Sequence, residues 1–148
     1  MIEVRGNLFG QQGWLCITTN GFVKNNGRAV MGAGCAKYIR DAVPDIDLAL
    51  GKAIRQYGNV VRPIGSYNNN PVFSFPVKHN WWEKADIKLI QVSAVQLYRN
   101  YIRMFPNNDG PDVFIPRPGC GNGKLKWEEV KPHLEIILKS DKFKIITF

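Results

Sequence analysis

Two stretches of this chain place small residues where a backbone could do chemistry. The segment GRAVMGAGCAKYIRD, residues 27–41, holds three glycines and three alanines in its first ten positions and then becomes a helical pattern. Small residues at a helix entrance leave room for a ligand to reach the unpaired N–H groups there, and the helix dipole favours an anion. The dipole contributes about 0.3–1 kcal/mol, or up to ~2 kcal/mol in a partly buried site. The second stretch, VFIPRPGCGNGKLKW, alternates Gly119, Gly121 and Gly123 between an apolar run and another helical pattern. Either loop alone is equally well read as a flexible turn. Two backbone cradles in one small domain suit a diphosphate gripped from both sides. Neither has the Gly-x-x-x-x-Gly-Lys-Ser/Thr order of a P-loop. Nor is either the dinucleotide fingerprint, which sits in the first strand–helix turn with an acidic residue about 20 positions on.

A third segment, FSFPVKHNWWEK, carries side chains that could react. Lys78 ends an apolar strand pattern. Burial disfavours the charged form of an amine, so a lysine taken out of water there becomes a nucleophile or Schiff-base former. The alternative is a solvated lysine at a strand end. His79 could pass a proton or simply lie on the surface. Trp81 and Trp82 could stack on a base or a sugar, or cap the core. His133 falls within the last helical pattern and reads as structural.

The elements that must position these residues follow from periodicity. Apolar, β-branched runs give strands at MIEVRGNLF, WLCITT, NVVRPIG, PVFSFPV, VFIP and FKIITF. AGCAKYIRDAVP reads as a helix stopped near Pro44. DIDLALGKAIRQYG is a second helix, with Asp45 as N-cap and Gly58 as stop. Between Asp86 and Phe105, Ile87, Ile90, Ala94, Leu97, Tyr101 and Met104 recur at spacings of 3 and 4 and define one face. WEEVKPHLEIILKS is the last helix, with Trp127, Val130, Leu134 and Ile137 on one side. The order is strand, strand, helix, helix, strand, strand, helix, strand, helix, strand. This predicts a three-layer α/β/α sandwich on a mixed central sheet, with ligands bound beyond the carboxyl ends of the strands.

The bulk properties fit. A chain of 148 residues with 45% hydrophobic residues forms one domain, 1–148, with a real core. No apolar run reaches the ~20 residues of a membrane span, and the amino terminus lacks the apolar centre of a secretory signal. Cys16, Cys35 and Cys120 are odd in number and widely spaced, with no metal-ligand spacing. A cytoplasmic protein with reduced thiols, no metal and no cofactor is expected. The net charge of +8 attracts anions, nucleic acid among them, although it is spread along the chain rather than gathered in a run.

Taken in order, VRGNLF, ITTNG, VMGAGCAKYI and IPRPGCGNGKLKW resemble the motifs of macrodomains, the α/β/α modules that bind ADP-ribose, nearly end to end. Two branches are most similar. The terminal ADP-ribose protein glycohydrolase type shares MGAG, PR-x-GCG and the trailing Leu-x-Trp. The antitoxin branch that removes ADP-ribose from DNA shares GCGNG-x-L-x-W and FP-x-K. The resemblance implies ADP-ribose contacts at Asn7, Leu8, Thr19, Asn20, Met31, Gly32, Ala33, Gly34, Pro118, Gly119, Cys120, Gly121, Asn122 and Gly123, with Asn20 on the distal ribose and Lys78 as the catalytic lysine. It departs from the family twice. Asn7 replaces an aspartate that accepts from the adenine amino group. Gly123 replaces the catalytic aspartate of the protein-directed branch and matches the glycine of the DNA-directed one. The implied functions are hydrolysis of ADP-ribosyl adducts on DNA or protein, phosphatase action on ADP-ribose 1″-phosphate, or reading without chemistry. Asp112, Glu83 and His79 are unranked candidates for the general acid. The expected partners are ADP-ribose or an ADP-ribosylated macromolecule, with single-stranded DNA as a further one; the chain is expected to be a monomer away from membranes.

Overall fold

The computed structural model describes residues 1–148. In chain order it contains β1 (Ile2–Arg5), β2 (Trp14–Asn20), α1 (Gly34–Ala42), α2 (Ile46–Tyr57), β3 (Arg62–Tyr67), β4 (Asn70–Lys78), α3 (Ile87–Met104), β5 (Val113–Pro116), α4 (Trp127–Glu135) and β6 (Phe143–Thr147). Strands and helices thus follow the expected order. A 3₁₀ turn, Leu8–Gly10, is an addition; Asn7 caps it by accepting from the Phe9 N–H through its side-chain oxygen.

The six strands form one sheet in the order β1-β6-β5-β2-β4-β3. Only the β3–β4 pair is antiparallel, so the sheet is mixed. Alternation along each strand sends neighbouring residues to opposite faces. In β2, Trp14 and Cys16 enter one core while Leu15 and Ile17 enter the other. The first core is covered by α3 and α4, through Ile90, Ala94, Leu97, Tyr101, Val130 and Leu134. The second is covered by α1 and α2, through Ala36, Ile39, Ile46 and Leu50. This is the three-layer sandwich that the patterns predict.

Two local expectations need correcting. Asp45 does precede α2, but its φ of 61° is left-handed and its carboxylate makes no capping bond. Instead Asp45 and Asp47 hold Arg28 at 3.0 and 2.8 Å, which ties the start of α2 to the loop leaving β2. Of the face expected on α3, Ile90, Ala94, Leu97 and Tyr101 are fully buried, but Met104 is 63% exposed. It is the last residue of the helix.

The strand order determines where a crevice opens. From β2 the chain winds to one side and returns as β4; from β5 it winds to the other side and returns as β6. Connections leaving two adjacent parallel strands in opposite directions leave a gap beyond their carboxyl ends.

Candidate functional site

A cleft of about 720 Å³ lies in that gap, within the size range of small-ligand sites. The exits of β2, β4 and β5 supply Asn20, Lys78 and Pro116 to its walls, and both glycine loops line it. A Cβ placed on Gly34 would stand only 3.7 Å from Asn122 Nδ2, so the loops face each other closely.

The amide inventory shows what the loops offer. The first helical bond of α1 runs from Lys37 N–H to the Ala33 carbonyl. The N–H groups of Gly32 through Ala36 therefore have no backbone acceptor. Gly34 opens the helix at φ +59°, a conformation natural to glycine. In the second loop, Cys120 N–H donates to Arg117, Lys124 to Gly121 and Leu125 to Gly119. These bonds fold the loop into a tight nest and leave the amides of Gly119, Gly121, Asn122 and Gly123 without backbone acceptors. Two groups of free donors on facing walls of one cleft suit a diphosphate.

The tightness of the nest explains its glycines. A Cβ on Gly123 would come within 2.5 Å of the Gly119 carbonyl oxygen and 2.7 Å of Ala85 Cβ. Gly119 has φ +77°, and its added Cβ would meet Ile90 Cδ1 at 2.8 Å. The aspartate of the protein-directed branch has no room at position 123 with this loop geometry.

Most of the expected contact residues line the cleft: Thr19, Asn20, Met31, Gly32, Ala33, Gly34, Gly119, Gly121, Asn122 and Gly123, together with Lys78. Four do not. Leu8 is buried in the α1–α2 core. Asn7 caps its own turn. Pro118 is outside the lining, and Cys120 packs against the α3–α4 core, where burial pushes its thiol up. Sequence reasoning passed over Phe22, Lys24, Cys35 and Arg117, which do line it.

The side chains divide into engaged and free. Asn20 donates to the Val30 carbonyl and accepts from Phe22 N–H, both at 3.0 Å, so it shapes the loop it begins. Thr19 is 5% exposed, and its Oγ1 has no partner although the residue lines the cleft. Lys78 is half-buried; its Nζ donates to the Asn122 carbonyl at 3.2 Å and to the Trp81 carbonyl at 3.4 Å. Arg117 lies over the Trp127 ring, 5.2 Å from its centroid, with Glu3 3.5 Å away. The Trp127 indole N–H and Lys131 both bond that carboxylate, and they hold Glu3 below its ordinary range.

None of the three proposed acids lines the cleft. Asp112 precedes β5 at its amino end, the opposite pole of the sheet, where its carbonyl accepts from Trp14 N–H. His79 is bonded to Asp86 at 2.9 Å, which holds the Asp86 carboxyl below its usual range. Glu83 has one carboxylate oxygen, Oε1, that is shielded and unpartnered. His133 joins α4 to α3 through Gln91 at 2.8 Å, a structural role. No group of His, Cys, Asp or Glu comes together that could hold a metal ion, and no helix is long and apolar enough to cross a membrane.

Comparison with known proteins places this geometry. No family model matches the chain. Over 143 residues it is 27% identical to the DNA ADP-ribosyl glycohydrolase of Thermus aquaticus, a match covering 93% of this chain and 37% of that protein. The chain thus spans little more than a third of that curated relative. The macrodomain of Mycobacterium tuberculosis DarG superposes with a TM-score of 0.76 at 24% identity, covering 98% of this chain and 95% of that one. The macrodomain of Thermus aquaticus DarG gives 0.73 at 25% identity, covering 99% and 96%. Thermosipho africanus DarTG, solved in complex with ADP-ribose, gives 0.75 at 20% identity, covering 98% of this chain and 41% of that one. In fold, over nearly its whole length, this chain is similar to the macrodomains of DarG.

Proposed function

We propose that the cleft binds ADP-ribose and that the protein removes ADP-ribosyl groups from a macromolecule, DNA in preference to protein, with Lys78 as the reacting side chain. The observation that carries this reading is the position of Lys78. Its Nζ reaches the cleft beside the second glycine loop, within hydrogen-bond distance of the Asn122 carbonyl. A diphosphate held between the loops would present its distal sugar to that amine. As a free amine, Lys78 would add to the anomeric carbon of the ring-opened sugar. As the bond from that carbon to the base nitrogen breaks, a proton would pass from the lysine nitrogen to the base, leaving an imine that water hydrolyses to release ADP-ribose and restore the lysine. The similarity to a DNA ADP-ribosyl glycohydrolase and the glycine at position 123 both favour DNA.

The two carbonyls that hold Lys78 also favour a second reading, a reader that binds ADP-ribose and leaves it intact. One experiment separates the two. Wild type and Lys78→Ala are incubated with ADP-ribosylated single-stranded DNA, ADP-ribosylated protein and ADP-ribose 1″-phosphate, while ADP-ribose affinity is measured by calorimetry. The hydrolase reading expects release from DNA by wild type only, with ADP-ribose affinity retained in the variant. Full activity in Lys78→Ala overturns the lysine's role. Binding without turnover of any substrate establishes the reader, and phosphate release alone establishes the phosphatase.

A further inference from the structure

The rim of the cleft carries an aromatic corner that extends beyond the cleft lining. Trp81 is 51% exposed and Trp82 59% exposed. Their rings meet edge to face, 5.5 Å apart and 89° from coplanar. Phe22 meets Trp82 at 5.5 Å and 69°. Phe22 and Trp81 line the cleft and Trp82 does not, so the corner runs outward from the site.

This corner is built rather than loose. Gly21 N–H donates to the His79 carbonyl at 3.1 Å, joining the loop after β2 to the loop after β4. Asn59 donates to the Lys78 carbonyl at 2.9 Å. A Cβ on Gly21 would strike Asn59 Nδ2 at 2.9 Å and the His79 oxygen at 3.0 Å, so the two loops meet as closely as backbone allows. A contiguous exposed aromatic patch rimmed by polar residues marks an interaction surface.

Charge identifies the occupant. Lys24 and Arg55 lie side by side, Arg55 donating to the Lys24 carbonyl at 3.2 Å. Neither these two nor Lys84, two residues beyond Trp82, takes part in any ion pair of the fold. Of the acids in the same loop, Asp86 is bonded to His79, and Glu83 has its Oε1 shielded from solvent. Unpaired cations flanking exposed indoles form a surface for a polyanion whose flat groups can stack. A peptide offers neither feature regularly; a single-stranded polynucleotide offers both at every residue.

We infer that Trp82, with Trp81 and Phe22, is a base-stacking platform for the single-stranded polynucleotide flanking the ADP-ribosylated position, and that Lys24, Arg55 and Lys84 take its phosphates. This rests on the cleft's being the ADP-ribose site. The strand leaves the cleft over the β2 and β4 exits and not over the second glycine loop.

The test measures affinity of the full chain for an unmodified single-stranded oligonucleotide of eight thymidines, with and without saturating ADP-ribose, by tryptophan fluorescence quenching. Wild type is expected to bind and to quench. Trp82→Ala is expected to weaken oligonucleotide binding roughly 5- to 150-fold, the range for losing one base–aromatic stack. Trp82→Phe should restore most of it, and ADP-ribose affinity should stay within about twofold of wild type in both. Oligonucleotide binding that is absent, or indifferent to Trp82→Ala, overturns the platform. A loss of ADP-ribose affinity of the same size also overturns it, because the residue would then belong to the cleft. If Trp82→Ala instead impairs release from an ADP-ribosylated peptide, the occupant is protein and the inference is wrong. Because the oligonucleotide carries no adduct, this outcome is independent of whether Lys78 performs hydrolysis.

Discussion

Thr19 tests the site at the level of a single oxygen. Its hydroxyl is shielded from water, lies at the carboxyl end of β2 in the cleft wall, and bonds nothing in the protein. A buried hydroxyl without a partner costs about 1–3 kcal/mol, a burden that a bound ligand relieves. Thr19→Val keeps the shape and removes the oxygen. Its melting temperature should therefore equal or exceed that of wild type, while ADP-ribose affinity falls roughly 2- to 10-fold, the value of one hydrogen bond. Thermal unfolding and calorimetric titration read the two effects separately, and a lower melting temperature with unchanged affinity would assign the hydroxyl to the fold. Gly123 gives the complementary case. The contact of an added Cβ with the Gly119 oxygen makes Gly123→Asp an overpacking substitution. It should cost about 1–3 kcal/mol and weaken ADP-ribose binding, without conferring release from ADP-ribosylated protein. Residue types and order made these positions legible in the sequence, since glycines after a strand mark close backbone approach. The engagement of Asn20 with Val30 and Phe22, and the tie from Trp127 to Glu3 across 124 positions, were not legible, because they depend on which distant segments meet.

At the next scale, the loop between β4 and α3 holds Lys78 at one end and Asp86 at the other, with both tryptophans between. Asp86 fixes it three ways. Its N–H donates to the Val77 carbonyl at 2.9 Å, its Oδ1 accepts from Lys88 N–H as the helix cap, and its Oδ2 bonds His79. The His79 bond chiefly, together with the backbone N–H groups of the first helical turn, lowers the Asp86 carboxyl from its usual range against an opposing effect of burial. A carboxyl depressed in the folded state stabilises it above the unfolded value, near pH 4, and that stability is lost as pH falls through the lowered folded value. Asp86→Ala should therefore unfold about 1 kcal/mol more easily at pH 7, the usual cost of a lost N-cap. The difference from wild type should shrink below pH 4; paired urea titrations across pH 2.5–7 would show a constant gap if the charge were irrelevant. The same element shows how far periodicity reaches. The spacing of Ile90, Ala94, Leu97 and Tyr101 foretold both the helix and its buried face. It said nothing of Asp112, whose place at the amino end of β5 puts it at the wrong pole of the sheet for chemistry. Only the strand direction, set by parallel pairing with β2 and β6, settles that.

Across the whole molecule, the net charge of +8 becomes informative once the ion pairs are located. They fall around Arg28, which ties the loop after β2 to the start of α2, within α1 at Arg40 and Asp41, and around Glu3 and Lys131, between β1 and α4. At the β2 and β4 exits the charge pairs are His79–Asp86 and those of Arg28, and none of them engages Lys24, Arg55 or Lys84. Lys24, Arg55 and Lys84 thus stand without ion-pair partners. That arrangement separates two kinds of anion binding in one protein. In the proposed reading the diphosphate is held mainly by backbone amides, with Lys24, Lys78 and Arg117 on the same walls, so its affinity should depend less steeply on salt than that of the rim. The rim is made of lysine and arginine side chains, whose contact with phosphates releases counterions from the nucleic acid. With Lys24, Arg55 and Lys84 each meeting one phosphate, the logarithm of single-stranded DNA affinity should fall against the logarithm of salt concentration with a slope near −2, at about −0.7 per contact. Lys84→Gln should make that slope shallower by about 0.7 and leave the salt response of ADP-ribose binding unchanged. Titrations from 50 to 300 mM salt measure both slopes on the same protein. A steep slope for ADP-ribose and a flat one for DNA would reverse the assignment, leaving the tryptophan rim without an electrostatic reason to receive a strand.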